Sequence, residues 1–453
     1  MSFFSRFAKA AALASTLVSI LYSIGCMPPA NTNQLNSNAP SNPPSPAAVT
    51  QPSPLVSEQA AVNTPFTLPL LDAMLVDETF VSEAKSALQL TDLEIQRLRD
   101  VARKAVSGLS NDPAVDESRS TKASADEARK QVEEVLGAER TGRFIALVQQ
   151  KWSGGEDLPV PNPGTVPADS RIVVNAPAYR MDVFDKGKLV KSYKIGIGYP
   201  EFPLPTGLRK AKAIIFNPTW TPPDEPWVKG KISPGKKVEA GSSLNPLGPI
   251  KIPIGLPSLI HGGKSPAKLG TFASHGCVGL TNAQVQDFAM RISSLSGKPL
   301  SLQDIKAYEK TKTETKEVKL EEDIPVELRY ETIVVENGTL KIFRDVYERG
   351  TNTEENLKRV LDSYGVSLDQ LASEVRDKIL AGLTQMAANA AGKPIANAAG
   401  SNSNQNSSSA NTGARSKEPA SDKVTRNVKG KKEISFKLPE LAGKGYPVPV
   451  GAS

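Results

Sequence analysis

Two segments of low complexity limit which parts of this chain can fold. Residues 27–64 consist mainly of Pro, Asn, Ser, Gln and Ala, and residues 387–421 of Ala, Asn and Ser, with almost no large apolar side chains. Such segments cannot bury enough apolar surface to offset the entropy lost on ordering them. The chain has 453 residues, of which 39% are hydrophobic and 23% charged. This excludes a wholly disordered chain and a multi-span membrane protein, and it predicts two or three ordinary domains.

The amino terminus has the layout of a secretory signal peptide over residues 1–25. Arg6 and Lys9 precede an apolar run at 10–21. The run is shorter than the ~20 apolar residues that a transmembrane helix requires, which disfavours a membrane-spanning anchor.

The end of this segment, Ile24-Gly25-Cys26, resembles the cleavage site of bacterial lipoproteins. The resemblance implies lipidation of Cys26, a membrane anchor through that residue, and a tether over residues 26–64 that lets a domain reach away from the membrane. We expect an exported protein of the periplasm or cell envelope, at the outer membrane if the cell is diderm, because Met27 is not Asp. The alternative is ordinary secretion with a free Cys26 thiol.

Residues 65–152 have the apolar periodicity of a small helical domain. Thr91 and Glu94 have the spacing of a capping box, and Leu90 and Ile95 lie where a hydrophobic staple would close the same turn. The pattern predicts a small helical bundle that packs against the neighbouring domain or acts as a spacer. The alternative is a binding role, which no chemically distinctive residue supports.

Residues 168–303 change to a β pattern. Short apolar runs with polar interleaving predict strands at 171–174, 180–184 and 189–195, with a hairpin turn at 185–188. Thr281 and Gln284 have capping-box spacing and predict a helix soon after Cys277. This part of the chain is the most promising catalytic domain.

Residues 317–385 predict an α/β extension, because two alternating runs at 325–335 and 339–346 flank the turn Glu336-Asn337-Gly338 and helix-start signals precede 354–361 and 369–383. Residues 386–453 have the composition of a low-complexity and basic tail. Its Lys429–Lys432 cluster is interpreted as a solvated charge run, with a polymer contact as the alternative. The predicted fold class is therefore α+β and multidomain: a mostly β catalytic domain, preceded by a small helical domain and followed by a β-hairpin with helices.

Positive charge is concentrated in the β-rich part. Residues 168–300 hold 18 basic and 8 acidic residues, a balance that suits an anionic partner. A phosphate-binding glycine loop and the aromatic-basic stripe of single-strand binders are both missing from the sequence, so we expect no nucleic-acid partner.

The chemistry concentrates around one cysteine. Cys26 and Cys277 are the only cysteines and His261 and His275 the only histidines, and both histidines lie within twenty residues of Cys277. A nucleophilic thiol needs a base or a cation beside it, and histidine is the usual supplier. The run Ser274-His275-Gly276-Cys277 also places backbone N–H groups beside the sulfur, as an oxyanion hole requires.

Two other interpretations of these residues remain open. Cys277 is an inert buried cysteine in the first. The second is a zinc site, although two His and one Cys at this spacing match no common zinc motif. We expect no metal and no cofactor.

Ile260-His261-Gly262-Gly263 followed by Ser274-His275-Gly276-Cys277-Val278 resembles the signature of the L,D-transpeptidase catalytic domain, the YkuD-type family. The resemblance implies a mostly β fold that cross-links peptidoglycan stem peptides. It implies that Cys277 attacks the L-configured third residue of a stem tetrapeptide and expels D-Ala, with His261 as the base. The backbone N–H groups around His275, Gly276 and Cys277 would then hold the oxyanion, and Ser274 and the His275 side chain would shape the pocket.

One position departs from the family pattern. Many members have Arg two residues after the cysteine, and here that position is Gly279. A guanidinium can orient a substrate carboxylate and glycine cannot. Either Lys264, Lys268 or Arg291 replaces it from elsewhere in the fold, or the substrate preference has shifted. Gly262, Lys264 and Arg291 are the candidate substrate-binding residues.

The acceptor amine can belong to another stem peptide, a free D-amino acid or a wall-attached protein, and these three share the same first half-reaction. Capture of the acyl group by water instead makes the protein an L,D-carboxypeptidase. A non-catalytic wall-binding relative, which keeps the fold without turnover, is the other alternative. The sequence leaves the acceptor and the oligomeric state undetermined.

Overall fold

The computed structural model describes residues 65–107, 109, 117–153, 164–221, 236–255, 257–395 and 423–449. The predicted signal peptide (1–25), the tether (26–64) with Cys26, and most of the second low-complexity segment lie outside the described residues. Within those ranges, no helix combines the length and the apolarity that crossing a membrane requires.

The N-terminal part is helical, as predicted. Its elements are α1 (Leu68–Met74), α2 (Glu78–Leu88), α3 (Asp92–Ser107), β1 (Glu117–Arg119), α4 (Thr121–Leu136) and α5 (Ala138–Ser153). The predicted capping box opens α3: the Thr91 N–H donates to Glu94 Oε2 at 2.8 Å, and the Glu94 N–H donates to Thr91 Oγ1 at 3.2 Å. Leu98, Phe144 and Trp152 are buried in one apolar cluster that holds the helices together.

A large mixed β-sheet follows. The strands of this region are β2 (Arg171–Asn175), β3 (Arg180–Asp185), β4 (Lys188–Lys194), β5 (Ile197–Gly198), β6 (Gly207–Phe216), β7 (Ile250–Pro253), β8 (Leu259–His261), β9 (Phe272–Ser274), β10 (Val278–Gly279) and β11 (Lys316–Arg329). Eight of them form one sheet in the order β10-β8-β7-β6-β11-β2-β3-β4, and β5 pairs with β9 beside it. The strands predicted at 171–174, 180–184 and 189–195 are confirmed to within one residue.

Two helices, α6 (Asn282–Leu295) and α7 (Leu302–Lys310), follow the short strand β10. The capping box predicted at Thr281 and Gln284 is present in full. Val285, Phe288 and Ile292 are buried against the sheet in the largest apolar cluster. Because α6 begins five residues after Cys277, its packing fixes the Cys277 turn against the sheet.

The position of β11 corrects the predicted layout. An extension beginning at residue 317 would separate this strand from the catalytic domain, yet β11 lies inside the large sheet, antiparallel to β6 and parallel to β2. The first half of β11 is mostly exposed and charged, because there it pairs with β6 alone. A charged run of this kind does not have the apolar alternation by which a strand is predicted from sequence. The predicted first strand of the hairpin, 325–335, therefore covers the end of β11 and the start of a different strand.

The C-terminal part contains β12 (Ile333–Glu336), β13 (Thr339–Phe343), α8 (Glu354–Asp362), α9 (Ser373–Met386), β14 (Lys423–Thr425) and β15 (Glu433–Lys437). The hairpin is confirmed around Asn337 and Gly338, which both have positive φ. The two helices are confirmed, although α9 starts four residues later than predicted.

The tail predicted at 386–453 is not a solvated run throughout. Its strand β14 pairs with β1, and β15 pairs with β13. Ile434 and Phe436 alternate inward on β15 and pack against the C-terminal core. Ser435 lies between them, Lys431 and Lys432 precede the strand and Lys437 ends it, so the sequence shows a charge run beside an edge strand.

Candidate active site

Cys277 lies in a closed turn between β9 and β10. The Ser274 hydroxyl donates to the Cys277 carbonyl at 2.6 Å, and the Cys277 N–H donates to Ser274 Oγ at 3.0 Å. Gly276 has a φ of +88°, which disfavours any residue with a side chain there. The Cys277 thiol is free and half-buried. Because the turn itself uses the Cys277 N–H, the remaining backbone N–H candidates for an oxyanion hole are those of His275 and Gly276.

His261 ends the neighbouring strand β8. The parallel register pairs His261 with Gly279 and Ile260 with Val278, so the histidine comes beside the strand that follows Cys277. Its side chain is 3% exposed, and Nδ1 lies 2.7 Å from the Gly262 carbonyl. A carbonyl can only accept, so Nδ1 carries the proton in the neutral ring and Nε2 is the basic nitrogen.

The titration of His261 and Cys277 favours a neutral resting pair. Burial, reinforced by the Lys264 ammonium, lowers the pKa of His261 to about 3. Burial also raises the pKa of the Cys277 thiol, against opposing effects of the Leu259 N–H and the ammonium groups of Lys264 and Lys251. Near pH 7 the imidazole is therefore unprotonated and the sulfur carries its proton, which suits general-base activation rather than a preformed ion pair.

His275 is held by aromatic rings. Its ring packs edge-to-face against Tyr199 at 5.1 Å and Phe202 at 4.8 Å between centroids. Burial, with smaller effects from Lys264 and Arg426, lowers the pKa of His275 to about 3. This environment favours a role in shaping the pocket.

Distant parts of the chain converge on the loop at 199–202. The Glu201 carboxylate is 3% exposed and accepts from the Ser118 hydroxyl at 2.5 Å and the Arg119 N–H at 2.7 Å. The Glu201 carbonyl accepts from Thr67 Oγ1 at 2.7 Å. The Arg426 guanidinium lies over the Tyr199 ring at 4.5 Å. The helical region and the C-terminal tail thus both support the loop that packs on His275, a connection that no local sequence pattern signals.

The three candidate substrate-binding residues have different environments in the structure. Lys264 is half-buried and acts electrostatically on Cys277, whereas Arg291 forms an ion pair with Asp287 at 3.0 Å. Gly262 lies against α6, where a Cβ would come within 2.9 Å of Val285 Cγ1. The expectation that Arg291 binds substrate is therefore not supported, because its charge is already engaged by a carboxylate, and Gly262 serves close packing beneath His261.

Sequence reasoning missed Lys251. This lysine lies on β7 directly opposite His261 in the antiparallel pairing with β8, and its charge lowers the pKa of Cys277. The only sequence signal for Lys251 is its position in a short run of alternating polar and apolar residues. Such a run does not show which residue the lysine faces until the partner strand is known. In the described part of the chain, no group of three or more His, Cys, Asp or Glu residues is arranged to hold a metal ion.

Residues 169–315 match the sequence model of the L,D-transpeptidase catalytic domain family, YkuD. The match covers about a third of the chain and extends the predicted catalytic domain, 168–303, to just before β11. No curated protein matches the chain.

Solved L,D-transpeptidase structures are among the structural matches. The catalytic domain from E. faecium is 16% identical, with 36% of this chain and 100% of that chain covered at a TM-score of 0.22. An L,D-transpeptidase from Mycobacterium smegmatis is also 16% identical, and the matched part covers 36% of this chain and 59% of that protein at a TM-score of 0.22. The E. faecium domain acylated by ertapenem is 19% identical, with 26% of this chain and 84% of that chain covered at a TM-score of 0.20.

Proposed function

We propose that this protein is a peptidoglycan L,D-transpeptidase with Cys277 as its nucleophile. The observation that carries the proposal is the arrangement of a free thiol in the closed Ser274–Cys277 turn, beside a strand that ends in His261 with its tautomer fixed by Gly262. The family match over residues 169–315 supports the same reaction class.

The first half-reaction transfers the acyl group to sulfur. His261 Nε2 accepts the thiol proton as Cys277 attacks the carbonyl of the L-configured third residue of a stem tetrapeptide. The backbone N–H groups of His275 and Gly276 stabilise the oxyanion. D-Ala leaves with the proton from His261, and a thioester remains.

The second half-reaction forms the cross-link. The amine of a neighbouring stem attacks the thioester, His261 takes its proton, and the proton returns to the sulfur as the new amide forms. Water in place of the amine releases a tripeptide and gives a carboxypeptidase.

Mass spectrometry of tetrapeptide-bearing muropeptides incubated with the protein tests this proposal. We expect cross-linked dimers and free D-Ala with wild type, and neither with Cys277→Ala. Tripeptides without dimers would indicate a carboxypeptidase, and no product would indicate a wall-binding relative.

A covalent probe tests the nucleophile separately. The strained amide of ertapenem should acylate Cys277 in a Cys26→Ser background, where it is the only thiol, and raise the intact mass by one drug. An adduct that persists in Cys26→Ser/Cys277→Ala would contradict the assignment.

We also propose that the protein is exported and anchored through a lipidated Cys26. The support is the sequence pattern alone, with Arg6 and Lys9, the apolar run and the Ile24-Gly25-Cys26 ending. Cys26→Ser should leave the protein soluble or unprocessed in cell fractionation. A variant that stays with membranes at the wild-type mature mass would contradict the anchor.

A further inference from the structure

Gly279, two residues after Cys277, makes room for another side chain. A Cβ built on Gly279 would lie 2.8 Å from Lys264 Cγ, 2.9 Å from Lys264 Cε and 3.3 Å from Lys264 Cδ. Gly279 lies in β10 and has no positive φ, so its backbone conformation does not require glycine. The close approach of Lys264 is the physical reason for a residue without a side chain at this position.

Backbone contacts hold Lys264 in place over Gly279. The Lys264 N–H donates to the Leu280 carbonyl at 3.0 Å. The preceding Gly263 has a φ of +79°, and its N–H donates to Asn282 Oδ1 at 2.8 Å. The lysine stem therefore leaves the loop after His261 in a fixed direction and crosses β10 beside the Cys277 turn.

Among the described residues, no carboxylate forms an ion pair with Lys264, and its ammonium acts electrostatically on the Cys277 thiol. Burial lowers the pKa of Lys264, Cys277 opposes this shift and Lys268 adds to it; burial also lowers the pKa of Lys251 on the adjacent strand β7, again against the effect of Cys277. A half-buried ammonium without a counter-ion is costly unless an anion arrives to pair with it. The acyl donor that reacts at Cys277 is the molecule that would bring such an anion to this site.

We propose that Lys264, delivered over Gly279, is the cation that binds the free carboxylate of the acyl donor beside its scissile amide. This inference rests on the proposed function, in which the departing residue is a D-amino acid with a free carboxylate. It gives the site a preference for donors that end in this carboxylate over donors whose terminus is amidated.

A pair of small electrophiles tests the cation without requiring turnover. Iodoacetate and iodoacetamide both alkylate the thiolate, and only iodoacetate carries a carboxylate. The ratio of their alkylation rates on Cys277 therefore detects a cation that attracts the carboxylate. Ionisation of the thiol affects both rates equally and cancels in the ratio. In the Cys26→Ser protein we expect Lys264→Met to lower the iodoacetate-to-iodoacetamide ratio by about tenfold, the effect of one hydrogen bond to a charged group. Lys188→Met removes an exposed charge on β4, at the opposite edge of the sheet, and should keep the wild-type ratio.

A double variant that moves the cation from residue 264 to residue 279 controls for misfolding of the Lys264 variants. Gly279→Arg alone places its side chain against Lys264 and should lose alkylation by both reagents, whereas Lys264→Ala/Gly279→Arg supplies a cation from the other strand and should recover the ratio. An unchanged ratio in Lys264→Met, or a double variant no better than Lys264→Ala, would overturn the proposal.

The donor preference is then measured with two synthetic stem tetrapeptides, one with a terminal carboxylate and one with a terminal carboxamide. Wild type should prefer the carboxylate by about tenfold or more in kcat/KM, and Lys264→Met should show no preference. Equal use of both peptides by wild type would refute the carboxylate role. If neither peptide reacts while the alkylation ratio behaves as expected, the transpeptidase proposal fails and the anion-binding lysine stands.

Discussion

Glu201→Gln is expected to loosen the support that the helical region gives to the active site. The Glu201 carboxylate accepts a buried hydrogen bond from the Ser118 hydroxyl at 2.5 Å and a partly buried one from the Arg119 N–H at 2.7 Å. Hydrogen bonds to a charged group contribute about 1.5–3 kcal/mol each, and an amide NH₂ replaces one acceptor with a donor. We expect a loss of about 2–4 kcal/mol from the free energy of unfolding, measured by urea denaturation.

The same variant should slow the reaction at Cys277. The loop at 199–202 carries Tyr199 and Phe202, which hold the His275 ring, and the Tyr199 N–H donates to the Ser274 carbonyl at 2.8 Å. Displacement of this loop disturbs the turn that presents the thiol, so ertapenem acylation should fall by about tenfold, a modest positioning effect.

Glu133→Gln is the matched control for this experiment. Glu133 is exposed on α4, and its amide variant should stay within about 0.5 kcal/mol of wild type. The reasoning is refuted if Glu201→Gln is as stable as Glu133→Gln, or if it is destabilised and still acylated at the wild-type rate.

Three further predictions concern pH and the helix that follows the nucleophile. Because the pKa of His261 is about 3 in the folded state and near 6.5 when unfolded, the unfolded chain binds more protons between these values. Stability should therefore fall as the pH is lowered from 6.5, and His261→Gln should remove about 1.4 kcal/mol per pH unit of that slope in urea titrations; identical slopes would contradict the buried neutral imidazole. Since burial raises the pKa of Cys277, iodoacetamide alkylation should rise with pH into the alkaline range with no inflection near 6.5, and such an inflection would indicate that a histidine of ordinary pKa controls the thiol. Thr281→Ala removes the capping hydrogen bond to the Gln284 N–H and should cost about 1 kcal/mol of stability, whereas an unchanged urea midpoint would mean that α6 depends on its packing alone.

Features that depend on neighbouring residues could be predicted from the sequence. The capping boxes at Thr91 and Thr281 and the hairpin turn at Lys186 and Gly187, both of positive φ, each specify a local structure through short-range hydrogen bonds and allowed backbone angles. The clustering of His261 and His275 around Cys277 was also visible, because it needs only proximity in sequence.

Features that depend on strand partners could not be predicted. Nothing near Val326 in sequence shows that it pairs with Ile172, or that Lys251 faces His261 across β7 and β8. The Lys264 side chain fills the space beside Gly279, and this contact depends on how the loop after His261 folds, which the sequence around Gly279 does not show.

The interior place of β11 also determines how the chain reaches this fold. Until residues 316–329 are available, the sheet consists of two pieces, β10-β8-β7-β6 and β2-β3-β4, each with an open edge at the missing strand. Open edges pair readily with other chains, and parallel pairing over so long a separation forms slowly. Both pieces, including the one that contains β10 directly after Cys277, are therefore prone to aggregate while synthesis is incomplete. A shortened protein that ends at residue 315 would keep both histidines and the thiol and would hold that vulnerable state permanently.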